Sequence, residues 1–187
     1  MTEISSRSLI NAGFSDIERA KKFLDSKELS ALDPELIVKM MAHAPDPDQA
    51  LLLALRLVDR HPQAAKIFLQ AESCQALIRL LGSSSALGEF LIRCEDALQI
   101  VAQAPSSGFS GVPADQLRSD MLDSVGAMQT PNGHWVASCT GAEARQKLRV
   151  SYRLALLSLA YRDLGSAQPQ WVMPQVAAEL AGIDAEQ

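Results

Sequence analysis

Arg145, Arg149 and Arg153 recur at intervals of four residues. On a helix that spacing aligns three guanidinium groups on one stripe. Such a row suits phosphate or an acidic partner, because each planar guanidinium can hold two oxygens at once. The same row also fits a solvated face paired with acidic neighbours. Arg162 and Asp163 follow in the same stretch. Asp46 and Asp48 form the only Asp-x-Asp of the chain, a spacing at which two carboxylates can hold a divalent cation. They flank Pro47, where capping a helix start and favouring its dipole is the simpler role.

Gly82 and Gly88 frame the run GSSSALG. It lacks the Gly-Lys-Ser/Thr that ends a phosphate-binding P-loop. Its serines suit an anion at a helix N-terminus, or a plain helix break capped by Ser84 or Ser85, which is the preferred reading. His43, His61 and His134 are scattered, with no second ligand at helical spacing. Cys74, Cys94 and Cys139 show no zinc-type spacing and read as reduced thiols. Trp135, in a loop beside Gly133 and His134, reads as a plug over the core. No residue is assigned a catalytic, cofactor-binding or metal-binding role. Arg149 and Arg153 are set apart from the rest of the row only by the resemblance given below, which implies an interdomain or phosphate contact for them.

The elements that must carry these residues are helices. Of 187 residues, 48% are apolar and only 5% aromatic, with Leu and Ala dominant. That composition suits helix-on-helix packing better than sheets. The net charge of -5 argues against nonspecific nucleic-acid binding. No apolar run reaches the length of a membrane span, and the polar start lacks a signal-peptide core. Neither a membrane nor a nucleic-acid partner is expected, and a cytoplasmic location is.

Ser15 and Glu18 have capping-box form ahead of a helix to Leu24. Asp33-Pro34 and Asp46-Pro47 each place a cap and then a proline at the first helical position. Further helices are expected over Gln63–Ala71, from a Ser73 cap to Leu81, and over Ala86–Val101. Residues 104–112 read as a loop, Pro113 as the start of a helix to about Met128, and 129–139 as a second loop. Thr140 and Glu143 form another capping box, opening the longest helix, to Leu164. Pro174 begins a last short one. Ala50–Val58 and Leu154–Tyr161 are apolar around most of the wheel and should be central. Asp16–Leu24 carries one apolar stripe and should lie at the surface. The expected fold is all-α, a bundle or helical array of about eight or nine helices with no significant sheet. It forms a single domain over 1–187, with a possible division into 1–103 and 113–187.

Two stretches carry a resemblance. One is LIRLLGSSSALGEFLIR, from Leu77 to Arg93; the other is LRVSYRLALLSLAYRDL, from Leu148 to Leu164. In this order and spacing they resemble the N-terminal region of the bifunctional glutamine synthetase adenylyltransferase/adenylyl-removing enzymes. Weaker similarity covers Leu9–Leu24 and Val176–Ala181. Cys94 and Tyr161 depart from the family, which usually has a histidine and a small residue there.

The resemblance implies a parent enzyme several times longer, controlling glutamine synthetase, and so nitrogen metabolism, by reversible adenylylation. Its N-terminal half would remove AMP from a tyrosine by phosphorolysis, giving ADP. Its C-terminal half would attach AMP from ATP. Mg and ATP/ADP are the implied cofactors of that parent. Glutamine synthetase and a PII-type signal protein are the implied partners, with glutamine also setting the direction. Each catalytic half uses a Gly-rich turn followed by a metal-binding Asp-x-Asp on a sheet. Nothing in this chain matches that motif. The chain is therefore expected to be an N-terminal helical fragment, structural or regulatory, inactive alone, with the catalytic domain downstream. The rival reading is a stand-alone helical protein-interaction module with no enzymatic role.

Overall fold

The computed structural model describes residues 4–103 and 114–165. The 104–112 loop, Pro113, the helix expected at Pro174 and the stretch Val176–Ala181 lie outside these residues. Helices begin where short polar side chains replace the missing intrahelical partners. Ser5 accepts from the Ser8 amide at 3.1 Å and opens α1 (Ser6–Asn11). Asp33 accepts from the Glu35 amide and opens α3 (Pro34–Met41). Asp46 accepts from the Gln49 amide and opens α4 (Pro47–Arg60).

Between these, α2 (Ile17–Leu24) is capped by Asp16, which accepts from the Arg19 amide at 3.0 Å. The Ser15–Glu18 capping box does not form. The Ser15 amide is drawn instead to Asp48 Oδ2 at 2.7 Å, and Glu18 pairs with Lys21. The buried Ala20 and Leu24 of α2, with half-buried Ile17 and Phe23, face the core as one stripe.

The expected helix Gln63–Ala71 is shorter. A 3-10 turn (Pro62–Ala64) leads into α5 (Ala65–Phe68), and the Leu69 and Gln70 amides close it by donating three residues back, to the Lys66 and Ile67 carbonyls. Helix α6 (Ala71–Ser83) starts from extended Gln70, so Ser73 lies inside it and is not its cap. Ser84 caps α7 (Ser85–Arg93) by accepting from the Leu87 amide. The single helix expected over Ala86–Val101 is two, α7 and α8 (Glu95–Gln103), broken at extended Cys94. The break has a partner: the Ile92 carbonyl meets His61 Nε2 at 2.9 Å.

Helix α9 (Ala114–Ser124) is followed by a small hairpin, β1 (Met128–Gln129) and β2 (Trp135–Val136), where a plain loop was expected. The strands pair antiparallel, Met128 opposite Val136 and Gln129 opposite Trp135. Thr130 fastens the turn, its amide and hydroxyl both donating to the His134 carbonyl. The longest helix, α10 (Gly141–Gly165), closes the described chain. The Glu143 carboxylate of the expected capping box reaches forward to Lys147 at 2.9 Å.

The architecture is an array of ten α-helices among the described residues, with this hairpin as its sheet. Helix α4 is central: Ala50, Leu51, Leu53, Ala54, Leu57 and Val58 are all buried. It packs on α6 and α7, and α6 in turn carries α10. The second half of α10 is buried less completely than its sequence predicts. Leu157, Leu159, Tyr161 and Asp163 are buried, while Leu154, Ala155, Ser158 and Arg162 are half-buried. One side of this half meets α6; another lines a groove. No described helix is long and apolar enough to cross a membrane.

Candidate functional site

Helix α10 runs 25 residues, about 37 Å. It is anchored at its far end. Tyr161 donates its hydroxyl to the Ser73 carbonyl at 3.1 Å, and Arg79 donates to the Leu164 carbonyl at 2.9 Å. Burial raises the Tyr161 pKa, the bond to Ser73 partly opposing it. The Arg79 bond joins the two family-like stretches, 77–93 and 148–164, and the Tyr161 bond ties α10 to the start of α6.

The near half of α10 projects past this anchor. Arg145, Arg149 and Arg153 are all exposed, as are Leu148 and Tyr152. Arg153 lies over the Phe90 ring of α7, 5.9 Å from its centroid. Arg145 and Arg149 have no partner among the described residues. Beside Phe90, Glu89 accepts from Arg56 of α4 and from Arg93, the latter at 3.3 Å. The Arg56 hydrogen bond, with help from Arg93, holds the Glu89 carboxyl below its usual range. Here α7 sets one carboxylate among Arg56 and Arg93, with Arg153 stacked on the next residue. Such a surface can take an anion: a guanidinium keeps its charge and its forked donors in water.

Between α8, α9 and α10 lies a groove of about 680 Å³. Ile100, Leu117, Val150, Leu154 and Ala155 give it an apolar floor, and Arg162 stands at one end. The Nε of Arg162 is buried without a hydrogen-bond partner, as is Oδ1 of the neighbouring Asp163. Burial pushes the Asp163 carboxyl above the ordinary carboxylate range.

The other candidate residues are absorbed by the fold. Asp46 caps α4, and Asp48 accepts from the Ser15 and Asp16 amides at 2.7 and 3.3 Å, fixing the α1–α2 junction to α4. Both carboxylates thus serve backbone N–H groups. GSSSALG is a close-packing device. A Cβ on Gly82 would lie 2.8 Å from Ala44 Cβ, and one on Gly88 would lie 2.7 Å from Leu53 Cδ1. Among the described residues no three His, Cys, Asp or Glu side chains gather as a metal site would require. Cys74, Cys94 and Cys139 are free thiols, and burial pushes Cys74 up to about 12. Trp135 does not plug the core: it stands 48% exposed on the hairpin, beside exposed Met128 and Val136.

The Glu89–Arg93 spacing of four was legible as an ion pair. The Arg56 link and the Arg153–Phe90 stack join distant segments and carry no local signal. Asp163 follows Arg162 just past the apolar run 154–161, and its burial had only that neighbouring run as a signal.

Several curated relatives are similar to this chain along nearly its whole length. A bifunctional glutamine synthetase adenylyltransferase/adenylyl-removing enzyme of Leifsonia xyli is 33% identical over 184 residues, covering 97% of this chain and 17% of the relative. The enzyme of the same name from Bifidobacterium longum subsp. infantis is 29% identical, covering 98% and 18%. That from Cutibacterium acnes is 34% identical over 140 residues, covering 74% and 14%. The chain therefore spans about one sixth of the length of the curated relatives it matches. No family model matches. No solved structure matches.

Proposed function

We propose that this chain is a helical segment of a bifunctional glutamine synthetase adenylyltransferase/adenylyl-removing enzyme. The observation that carries the reading is similarity to enzymes of that name over 97% of this chain. The fold is consistent with it, since the two stretches that resemble the family meet where Arg79 donates to the Leu164 carbonyl.

In this proposal the parent enzyme modifies and restores glutamine synthetase with ATP, ADP and Mg, under a PII-type signal protein. The segment itself is structural or regulatory. The described residues place both carboxylates of its Asp-x-Asp on backbone amides, which leaves metal-bridged phosphate chemistry to another part of the enzyme. Arg149 and Arg153 are then the groups that meet the catalytic domain or a phosphate-bearing ligand. Their exposure supports that role.

A segment exchange tests the proposal. The matching 184 residues of the Leifsonia xyli enzyme are replaced by this chain. Release of ADP from adenylylated glutamine synthetase, with phosphate and magnesium, is then measured. The chimera should remove AMP, whereas the isolated chain should not. A folded but inactive chimera would favour the rival reading, a helical interaction module. Turnover by the isolated chain would refute the assignment of catalysis to other parts of the enzyme.

A further inference from the structure

We propose that residues 174–183 fold back along α10 as a helix and seat an apolar stripe in the groove between α8, α9 and α10. The assignment holds whether or not the proposed function does.

The groove is an apolar face without a cover. Ile100, Val150, Leu154 and Ala155 line it and are only half-buried there. It follows α10 from Gln146 to Arg162, about 24 Å of helix. It is open to solvent, so a rod about 10 Å across can lie in it with its outer face wet.

Chain connectivity names the occupant. Helix α10 ends at Gly165, three residues past the Arg162 end of the groove. Residues 174–183 lie outside the described ones and read PQVAAELAGI. Pro174 suits the first position of a helix. Val176, Leu180 and Ile183, at i, i+4 and i+7, then give one apolar stripe, flanked by Ala177. These ten residues would span about 15 Å as a helix, within the length of the groove. The link 166–173 has eight residues and reaches about 28 Å at most. A link that short favours a return antiparallel to α10.

The charges suit this direction. Among the charged lining residues Asp120 is outnumbered by Lys147 and Arg162, and the segment brings only carboxylates, Glu179 and then Asp184. Running antiparallel to α10, the chain carries Asp184 toward the Lys147 end of the groove.

Hydrogen–deuterium exchange on the full 187-residue chain, read by mass spectrometry, tests this. A lone helix of this length is marginal in water, so undocked amides of 176–183 would exchange at the free-peptide rate. Docked, they should exchange about tenfold or more slowly, and equally at low and high protein concentration. Leu180→Glu, on the stripe, and Val150→Glu, in the groove, should each restore the free-peptide rate while the amides of 157–161 stay protected. Where Val150→Glu loosens α10 itself, Ser151→Arg on the same lining gives the reading instead. Free-peptide exchange over 176–183 in the unaltered chain overturns the proposal. So does protection that survives these substitutions. Protection that grows with concentration, alongside a dimer in sedimentation, also overturns it and makes a second copy of the chain the occupant.

Discussion

Polar side chains around α4 end on partners within the array; those along α10 largely do not. Gln49 donates to the Leu81 carbonyl, His61 meets the Ile92 carbonyl, Asp48 takes two amides, and Arg56 shares Glu89 with Arg93. On α10, Arg145 and Arg149 stand free among the described residues, and Arg162 Nε and Asp163 Oδ1 are buried without a hydrogen bond. The hairpin that precedes α10 leaves Met128 and Val136 more than half exposed. An unmade bond to a buried polar group costs about 1–3 kcal/mol, so such groups are seldom left idle. The polar groups of the α4 region serve its own stability; we propose that the exposed arginines of α10 serve a partner.

Substitutions sharpen this contrast. Leu57, fully buried in α4, should show the largest effect. Leu57→Ala should cost about 2–5 kcal/mol in urea unfolding. A loss under ~1 kcal/mol would mean that α4 is not the centre of the array. Asp48→Ala should cost about 1–2 kcal/mol, because two amides at the α1–α2 junction lose a charged acceptor. Proteolysis near Ser15 should rise with it. An unchanged cleavage pattern would mean that Asp48 does not hold the junction.

Asp163 gives a pH signature. Burial raises its folded-state pKa above the unfolded value, near 4. Its contribution to stability is therefore full below the unfolded pKa and lost as pH rises through the folded one. Asp163→Asn removes the buried charge and should therefore raise stability at pH 7. The gain should disappear below about pH 4. A destabilising Asn would mean that the carboxylate has an ionic partner.

Much of the fold was legible because its signals are local. Asp33-Pro34 and Asp46-Pro47 cap helices as read, and the apolar run of α4 is central. What escaped depends on contacts distant in sequence. Ser15 does not cap α2: Asp16 does, and the Ser15 amide, which Glu18 would have bonded, goes to Asp48, thirty-three residues on. The Cys94 break is linked to His61 across thirty-one residues. The hairpin turns on Thr130 and His134 within a segment too short for period-two alternation to register. At the candidate site the arginine stripe was readable from spacing, but the Phe90 ring under Arg153 was not.

The smallest stability effects belong to the arginines. Arg149→Ala should leave the melting temperature of the chain unchanged, and Arg153→Ala should cost about 0.5 kcal/mol through the lost stack on Phe90. A large loss from either would place them among the internal pairs of the array.

We propose that the exposed half of α10 serves a partner in a longer adenylyl-transferring and adenylyl-removing enzyme. The direct measurement introduces Arg149→Ala and Arg153→Ala together into that enzyme and compares initial rates of AMP removal from, and attachment to, glutamine synthetase. The account predicts that removal falls several-fold more than attachment, while the variant chain alone melts within a few degrees of the original, as a ΔΔG near 0.5 kcal/mol implies. Unchanged rates in both directions would contradict it and leave the stripe a solvated face.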